Sequence, residues 1–122
     1  MNGQKRILII DDNITYADVL SRNFESQGYK TSTVHKGLEG LYCARIENPD
    51  LIILDLSLPD IDGHKICKLI KHDPELKQIP IMVITGNDVQ KDAEKAFLEG
   101  ADAFLEKPTS LDKILVTIKK LI

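Results

Sequence analysis

Cysteine is scarce in this sequence. Its two cysteines, Cys43 and Cys67, form no C-x-x-C pair, and neither belongs to a Cys/His cluster with the spacing of zinc ligands. A protein that uses cysteine so little is typical of a reducing compartment, so we expect a cytoplasmic location. Both residues fall in helical patterns, where we expect them to act as small buried or half-buried hydrophobic groups.

Long apolar runs and an excess of basic residues are also missing. No apolar run approaches the roughly 20 residues that a membrane-spanning helix needs, and the run at residues 7–10 is shorter than the about 7–15 apolar residues of a signal peptide. The 16 Lys and Arg against 19 Asp and Glu give a net charge of −3. Nucleic acids and anionic membranes attract basic surfaces. We therefore expect no nucleic-acid partner and no membrane partner.

Linkers, low-complexity segments and internal repeats are absent from the sequence as well. The 122 residues suffice for one domain with a real core. We therefore predict a single domain over residues 1–122.

Three short apolar runs are present, and none of them alternates with polar residues. They are ILII at 7–10, LIIL at 51–54 and IMVI at 81–84. Continuous runs of this length are typical of strands that are buried on both faces of a parallel sheet. Two weaker strands are predicted at 29–34, which is polar and alternating like an edge strand, and at 103–106.

Between these strands, apolar residues recur at helical spacing, which predicts five helices. The candidate core positions are Ala17, Leu20 and Phe24; Leu38, Leu41 and Ala44; Ile66, Leu69 and Ile70; Ala93, Ala96 and Phe97; and Leu111, Ile114, Leu115 and Ile118. Thr109 and Asp112 have the spacing of a capping box before the last helix. Strands that alternate with helices five times predict an α/β fold with a doubly wound parallel sheet.

Polar side chains follow four of the five predicted strands. Asp11 and Asp12 follow the first strand, Asp55 the third, Thr85 the fourth and Lys107 the fifth. Because ligands of open α/β sheets bind beyond the carboxyl ends of the strands, we expect these five side chains to lie together. Any one of them alone would be an ordinary loop or cap residue. Their common location predicts a functional site.

Three carboxylates in one place repel one another, by about 4 kcal/mol for two unit charges 4 Å apart at an effective dielectric constant near 20. Such a cluster suits Mg²⁺, a hard cation that prefers oxygen ligands. Lys107 adds a positive charge that can bind phosphate, and Thr85 adds a hydroxyl donor. Together these groups predict a phosphoryl-transfer site with an aspartate nucleophile, Asp55.

The sequence also resembles the receiver domain of two-component response regulators. The similarity covers residues 6–122 and is carried by the acidic pair Asp11-Asp12, the segment LDLSLPDIDG around Asp55, Thr85-Gly86 and Lys107-Pro108. This resemblance implies a flavodoxin-like (βα)5 fold with strand order 2-1-3-4-5, like the chemotaxis receiver.

The resemblance implies a role for each residue near Asp55. Asp55 would be the phosphoacceptor. Asp12 and Asp55 would ligate Mg²⁺ directly, Asp11 would do so through water, and the backbone carbonyl of Ser57 would supply a further ligand. Mn²⁺ could take the place of Mg²⁺.

The resemblance further implies a switch. Thr85 would bind the phosphoryl oxygens, and Lys107 would pair with Asp55 and join Pro108 through a cis peptide bond. Phe104 would be the switch aromatic that turns inward when Thr85 moves. The output face would then lie in residues 88–122.

The resemblance also names classes of partner. The phosphoryl donor would be a sensor histidine kinase or a histidine phosphotransfer protein, and the output would be an unidentified protein. We expect a monomer or a phosphorylation-dependent dimer. The domain would be no enzyme in the usual sense, because it would catalyse only its own phosphorylation and dephosphorylation.

Three other functions are weaker. A Mg²⁺-dependent phosphatase of the haloacid dehalogenase type would carry an acid two residues after its nucleophile, but Ser57 stands there. A nucleotide- or flavin-binding module would have a glycine-rich turn after the first strand, and DDNITYADVL has no glycine. A scaffold that is never phosphorylated would have lost Asp55, Thr85 or Lys107, and all three are present.

A few polar residues give a weaker signal. Ser57 and Asn87 stand where this family tunes the phosphoaspartate lifetime, but neither is a strong general base. His64 is expected to be exposed in a loop or at a helix start, or to lie on a kinase-docking rim. The charges of the fourth helix are expected to form a solvated face or a dimer interface; they are Lys91, Asp92, Glu94 and Lys95.

Overall fold

Strands and helices alternate along the whole chain. The structure, a computed structural model, describes residues 3–86 and 89–122. The strands are β1 (Arg6–Ile10), β2 (Lys30–Val34), β3 (Leu51–Leu54), β4 (Ile81–Thr85) and β5 (Ala103–Glu106). The helices are α1 (Ile14–Ser26), α2 (Gly37–Glu47), α3 (Gly63–His72), α4 (Val89–Leu98) and α5 (Leu111–Leu121).

The five strands form one parallel sheet in the order β2-β1-β3-β4-β5. β1 lies between β2 and β3, with Ile10 opposite Val34 on one side and opposite Leu54 on the other. The predicted fold class and strand order are therefore confirmed. The chain leaves β1 toward β2 and returns past it to β3, so the carboxyl ends of β1 and β3 border the switch point where ligands of such sheets bind.

The core has two layers because β1, β3 and β4 are buried on both faces. Ile7 packs with Phe24 of α1 and Ile118 of α5 on one face of the sheet. Leu8, the next residue, packs with Ile70 of α3 on the other face. These side chains are all fully buried. The continuous apolar runs of the sequence are therefore the inner strands of a sheet covered on both sides.

Helix α2 approaches the sheet through small residues. Gly37, Gly40 and Ala44 are its buried positions. A Cβ atom on Gly40 would lie 2.5 Å from the Cδ1 atom of Ile10, so a larger residue there would push the helix away. Leu38, a predicted core residue, is 54% exposed instead.

The core prediction is also wrong for two residues of other helices, because both are largely exposed. Leu69 of α3 and Phe97 of α4 are 43% and 51% exposed. The buried face of α3 carries Ile66, Cys67 and Ile70, and so includes a cysteine that the apolar periodicity passed over. Cys67 is buried and Cys43 is half-buried, as predicted, and burial raises the pKa of the Cys67 thiol to about 12.

Three helices begin at a polar cap. The side chains of Asn13, Asp62 and Ser110 accept hydrogen bonds from backbone N–H groups in the first turns of α1, α3 and α5. The predicted capping box at Thr109 is wrong, because α5 begins one residue later and Ser110 caps it. Among the helices that the structure describes, every one is too short or too polar to cross a membrane.

Candidate functional site

The five predicted site residues lie at one edge of the sheet, where the strands end. Asp11 and Asp12 directly follow β1, Asp55 follows β3, Thr85 is the last residue of β4, and Lys107 follows β5. The sheet ladder continues into this edge, because the Asp55 amide donates to the Ile10 carbonyl at 2.9 Å. Regular strand pairing therefore fixes the backbone of the nearest acids before any ligand is present.

The acids form a compact cluster. One carboxylate oxygen each from Asp11, Asp12 and Asp55 lies within 4.8 Å of the others. Asp11 and Asp55 are buried, with 2% and 4% exposure, whereas Asp12 is exposed. Burial raises the pKa of Asp11 above its ordinary value, although the hydrogen bond from Lys107 opposes that shift. Because two carboxylates are buried side by side, Asp11 and Asp55 favour a bound cation or a proton that reduces their negative charge.

Lys107, the residue directly after β5, supplies a cation to this cluster. Its Nζ atom donates to Oδ2 of Asp11 at 2.8 Å and to Oδ2 of Asp55 at 3.3 Å. Burial alone lowers the pKa of Lys107, but its hydrogen bonds and attraction to the two carboxylates outweigh burial and raise it. The ammonium is therefore shared, and its shorter contact is with Asp11 rather than with Asp55, the partner named by the resemblance. The Lys107–Pro108 peptide bond is cis.

Two of the remaining predicted residues, Ser57 and Thr85, contact Asp55 and Lys107 through backbone groups. The Ser57 amide donates to Oδ1 of Asp55 at 3.2 Å, and the Lys107 amide donates to the Thr85 carbonyl at 2.9 Å. The Thr85 hydroxyl is fully buried and has no hydrogen-bond partner among the described residues. Phe104 of β5 is half-buried against the core layer beneath α3. Asn87 lies outside the described residues.

Gly63 shapes the segment that carries Asp55. Its amide donates to the Leu56 carbonyl at 3.0 Å and closes the segment between β3 and α3. A Cβ atom on Gly63 would lie 2.4 Å from the Leu56 Cα atom and 2.6 Å from the Asp55 carbonyl oxygen. Both atoms belong to the backbone and cannot move aside, so this turn requires glycine.

The donor set of the cluster fits a hard divalent cation. Its ligand atoms are carboxylate oxygens, and one of the three acids, Asp12, faces solvent, where a metal ion could enter and keep waters. Mg²⁺ is commonly held by one or two carboxylates together with waters and phosphate oxygens. The residues present therefore suit Mg²⁺, and Mn²⁺, which accepts the same oxygen ligands, could replace it.

Two residues near this edge were missed or misplaced by the sequence analysis. Tyr16 of α1 lies beneath Lys107, with the Nζ atom 4.5 Å from the ring centroid. His64 of α3 is 6% exposed, so the expectation of an exposed histidine is wrong. Its Nδ1 atom lies 2.6 Å from a Glu99 carboxylate oxygen, and its Nε2 atom lies 3.0 Å from an Asp92 oxygen.

The His64 contacts also correct the expectation for α4. Asp92 does not belong to a fully solvated charged face, because its side chain is only 20% exposed and pairs with His64. The sequence carried one signal for this burial. His64 stands three residues before Cys67, on the face of α3 that packs inward.

Comparisons with known proteins agree on one family. A family model described as the response regulator receiver domain matches residues 7–119. The polar-differentiation response regulator DivK of Brucella ovis is 35% identical over 115 residues, which cover 94% of this chain and 94% of the relative. The same regulator of Brucella anthropi has the same identity and coverage.

Solved structures of receiver proteins superpose closely on this chain. A CheY-like receiver domain protein of Methanospirillum hungatei JF-1 has a TM-score of 0.91 at 27% identity, and the match covers 97% of this chain and 93% of that chain. The chemotaxis response regulator CheY4 of Vibrio cholerae has a TM-score of 0.90 at 25% identity, with 98% and 99% covered. These comparisons give no support to the phosphatase alternative.

Proposed function

Since this chain belongs to the response regulator receiver domain family, which works as a phosphorylation-activated signalling switch, we propose that Asp55 is the residue that accepts the phosphoryl group. The donor is the phosphohistidine of a sensor histidine kinase or of a histidine phosphotransfer protein. The observation that carries this assignment is the placement of Asp55. It is a buried carboxylate at a strand end, with a lysine ammonium 3.3 Å away and two further carboxylates beside it.

The chemistry is a displacement at phosphorus. A carboxylate oxygen of Asp55 forms a bond to phosphorus while the bond from phosphorus to the donor imidazole nitrogen breaks. The electron pair of that bond stays on the nitrogen, and because the other ring nitrogen carries a proton, the ring leaves directly as neutral imidazole. Lys107 stabilises the negative charge on the transferring oxygens, since its ammonium already lies between Asp55 and Asp11.

The residues of the acidic cluster would hold the metal ion. Asp12 and Asp55 would bind Mg²⁺ directly, Asp11 would bind it through water, and the Ser57 carbonyl would add a ligand. When bound, the ion neutralises charge on the carboxylates and on the phosphoryl oxygens. The Ser57 amide already donates to Oδ1 of Asp55, which leaves the orientation of that carboxylate fixed from one side.

The switch would follow from the charge that arrives on Asp55. A phosphoryl group adds about −1.5 to −2 charge units and three strong acceptor oxygens. The buried Thr85 hydroxyl has no hydrogen-bond partner among the described residues, so it gains one by turning toward these oxygens. Phe104 would then turn inward, and the output face within residues 88–122, whose first residue is not described, would change shape.

The partners of this switch are proteins. The output would be a protein that binds the changed face, and the domain would act as a monomer or as a phosphorylation-dependent dimer in the cytoplasm. Its only catalysis would be its own phosphorylation and dephosphorylation. The net charge of −3 gives nucleic acid no electrostatic attraction to this domain.

Phosphorylation of Asp55 can be measured by intact mass. Wild-type protein incubated with Mg²⁺ and acetyl phosphate should gain one phosphoryl group, because a small phosphodonor needs only the site itself. Asp55→Asn should gain none, and a chelator should prevent the gain in wild type. Asp112→Asn, which removes an exposed acid of α5, is the matched control and should behave as wild type.

Other outcomes of this experiment would favour the alternatives. A folded wild-type protein that binds Mg²⁺ and gains no phosphoryl group would indicate a scaffold that is never phosphorylated. An adduct that persists in Asp55→Asn would place the acceptor at another residue. Steady release of phosphate from many phosphomonoesters would indicate a phosphatase.

A further inference from the structure

Tyr16 contacts the cation of the site. It lies in the first turn of α1, four positions after Asp12, and its side chain is half-buried. The Lys107 Nζ atom is 4.5 Å from the ring centroid, a distance at which the negative face of an aromatic ring attracts an ammonium. The Tyr16 ring therefore positions the Lys107 ammonium jointly with the carboxylates of Asp11 and Asp55.

The Tyr16 hydroxyl is buried without a partner. Its oxygen is inaccessible to solvent and makes no hydrogen bond to any described residue. Buried tyrosine hydroxyls usually find a partner. Burial raises the pKa of Tyr16, with Lys107 opposing the shift and Asp11 and Asp55 adding to it. The hydroxyl thus keeps its proton at neutral pH and can donate a hydrogen bond. The negative charges of Asp11 and Asp55 favour this protonated form.

A second buried hydroxyl without a partner borders the same lysine. Thr85 accepts the Lys107 amide through its carbonyl, while its own hydroxyl is unpaired among the described residues. A phosphoryl group on Asp55 would bring three acceptor oxygens to this place. Two donors that lack acceptors in the unphosphorylated protein would both gain one when the acceptor group arrives.

We propose that Tyr16 is a further residue of the phosphorylation site, whose ring positions the Lys107 ammonium and whose hydroxyl donates a hydrogen bond to the phosphoryl group on Asp55. This inference rests on the proposed function of Asp55. It adds to that function a residue of α1, which would contact the phosphoryl group together with Thr85 of β4 and Lys107.

The test compares two substitutions of Tyr16, one that removes only the hydroxyl and one that also removes the ring. Tyr16→Phe keeps the ring and removes the hydroxyl, and we expect phosphorylation by acetyl phosphate with Mg²⁺ to be roughly tenfold slower, the factor that one hydrogen bond to a charged group supplies. Tyr16→Leu also removes the ring and should be slower still. Tyr42→Phe, at a tyrosine of α2 that is 67% exposed, is the matched control and should keep the wild-type rate.

Stability separates this role from a structural one. Without phosphodonor, Tyr16→Phe should unfold at the same or a higher denaturant concentration than wild type, because it removes a buried polar group that has no partner. A hydroxyl that only supports the fold would give the opposite sign. Urea unfolding curves of each variant, recorded with a chelator present, provide this comparison.

Each result decides a part of the inference. A wild-type rate in Tyr16→Phe overturns the role of the hydroxyl, and a wild-type rate in Tyr16→Leu overturns the role of the ring. A slower Tyr16→Phe that is also less stable than wild type overturns the assignment to the phosphoryl group. No adduct on wild-type protein overturns the proposed function and this inference with it, whereas the other outcomes concern Tyr16 alone.

Discussion

Replacement of Lys107 by Met is expected to destabilise the metal-free protein by about 3 kcal/mol, the lower end of the range for breaking a buried ion pair. Lys107 is the cation that contacts both Asp11 and Asp55, and these two carboxylates are nearly inaccessible to solvent. The methionine side chain fills a similar volume but leaves the two buried charges facing each other. Urea unfolding in the presence of a chelator measures the loss.

The pH dependence of this loss has a definite sign. Burial already holds the pKa of Asp11 above its ordinary value, and the hydrogen bond from Lys107 is the largest of the interactions that oppose this shift. Without Lys107, this pKa rises further, so the folded state binds the Asp11 proton more tightly than the unfolded chain does. The stability lost at neutral pH is therefore regained as the pH falls through the raised pKa toward 3.8, the ordinary value of an aspartate.

Two further measurements test whether the loss comes from the missing positive charge of Lys107. Mg²⁺ should stabilise Lys107→Met more than wild type, because the ion binds the folded cluster and replaces the missing cation. Lys113→Met, at an exposed lysine of α5, should change the unfolding free energy by no more than about 0.5 kcal/mol. Equal stability of Lys107→Met and wild type in chelator would mean that the two carboxylates need no cation in the folded state.

Replacement of His64 by Leu is expected to lower the unfolding free energy by about 2 to 4 kcal/mol. His64 ties α3 to Asp92 of α4 and to Glu99, which directly follows α4, through one ring nitrogen each. Both carboxylates are largely buried, with 20% and 14% of their side chains exposed. Leucine occupies similar space and leaves both acids without the partner that His64 provides.

His72→Leu is the matched control for this change, since His72 is the exposed last residue of α3 and its ring is hydrogen-bonded to the Lys68 carbonyl of its own helix. It should alter stability by less than about 0.5 kcal/mol. Adding Asp92→Asn and Glu99→Gln to His64→Leu should recover part of the loss, because it removes the unpaired charges. A His64→Leu protein as stable as wild type would show that the two contacts contribute nothing to folding.

The sequence was sufficient to predict the parallel sheet and to place the five site residues at one edge of it. Period and run length separate buried strands from helices, and parallel strands bring whatever follows them to one edge, so Asp11, Asp55 and Lys107 could be placed together without knowing the strand order. The precise contacts could not be predicted. The Lys107 Nζ atom lies 2.8 Å from an Asp11 oxygen and 3.3 Å from an Asp55 oxygen, and these distances depend on the conformations of the three side chains.

The residues that were missed are those whose partners lie far away in the sequence. His64 pairs with acids 28 and 35 positions along the chain, and only the packing of α3 against α4 brings them together. Tyr16 lies beneath a lysine more than ninety positions away. Leu69 and Phe97 were misplaced because apolar spacing locates a face of a helix but does not say how wide the buried part of that face is.

One phosphoryl group on Asp55 is expected to change the output face within residues 88–122, of which the structure describes residues 89–122. Amide NMR spectra of ¹⁵N-labelled wild-type and Asp55→Asn protein, recorded with Mg²⁺ before and after addition of acetyl phosphate, test it most directly. We expect the wild-type amides of Thr85, Phe104 and residues along α4, β5 and α5 to shift, while Asp55→Asn stays unchanged. A phosphorylated wild-type protein whose shifts are confined to the segments around Asp11 and Asp55 would show that phosphorylation does not change the output face.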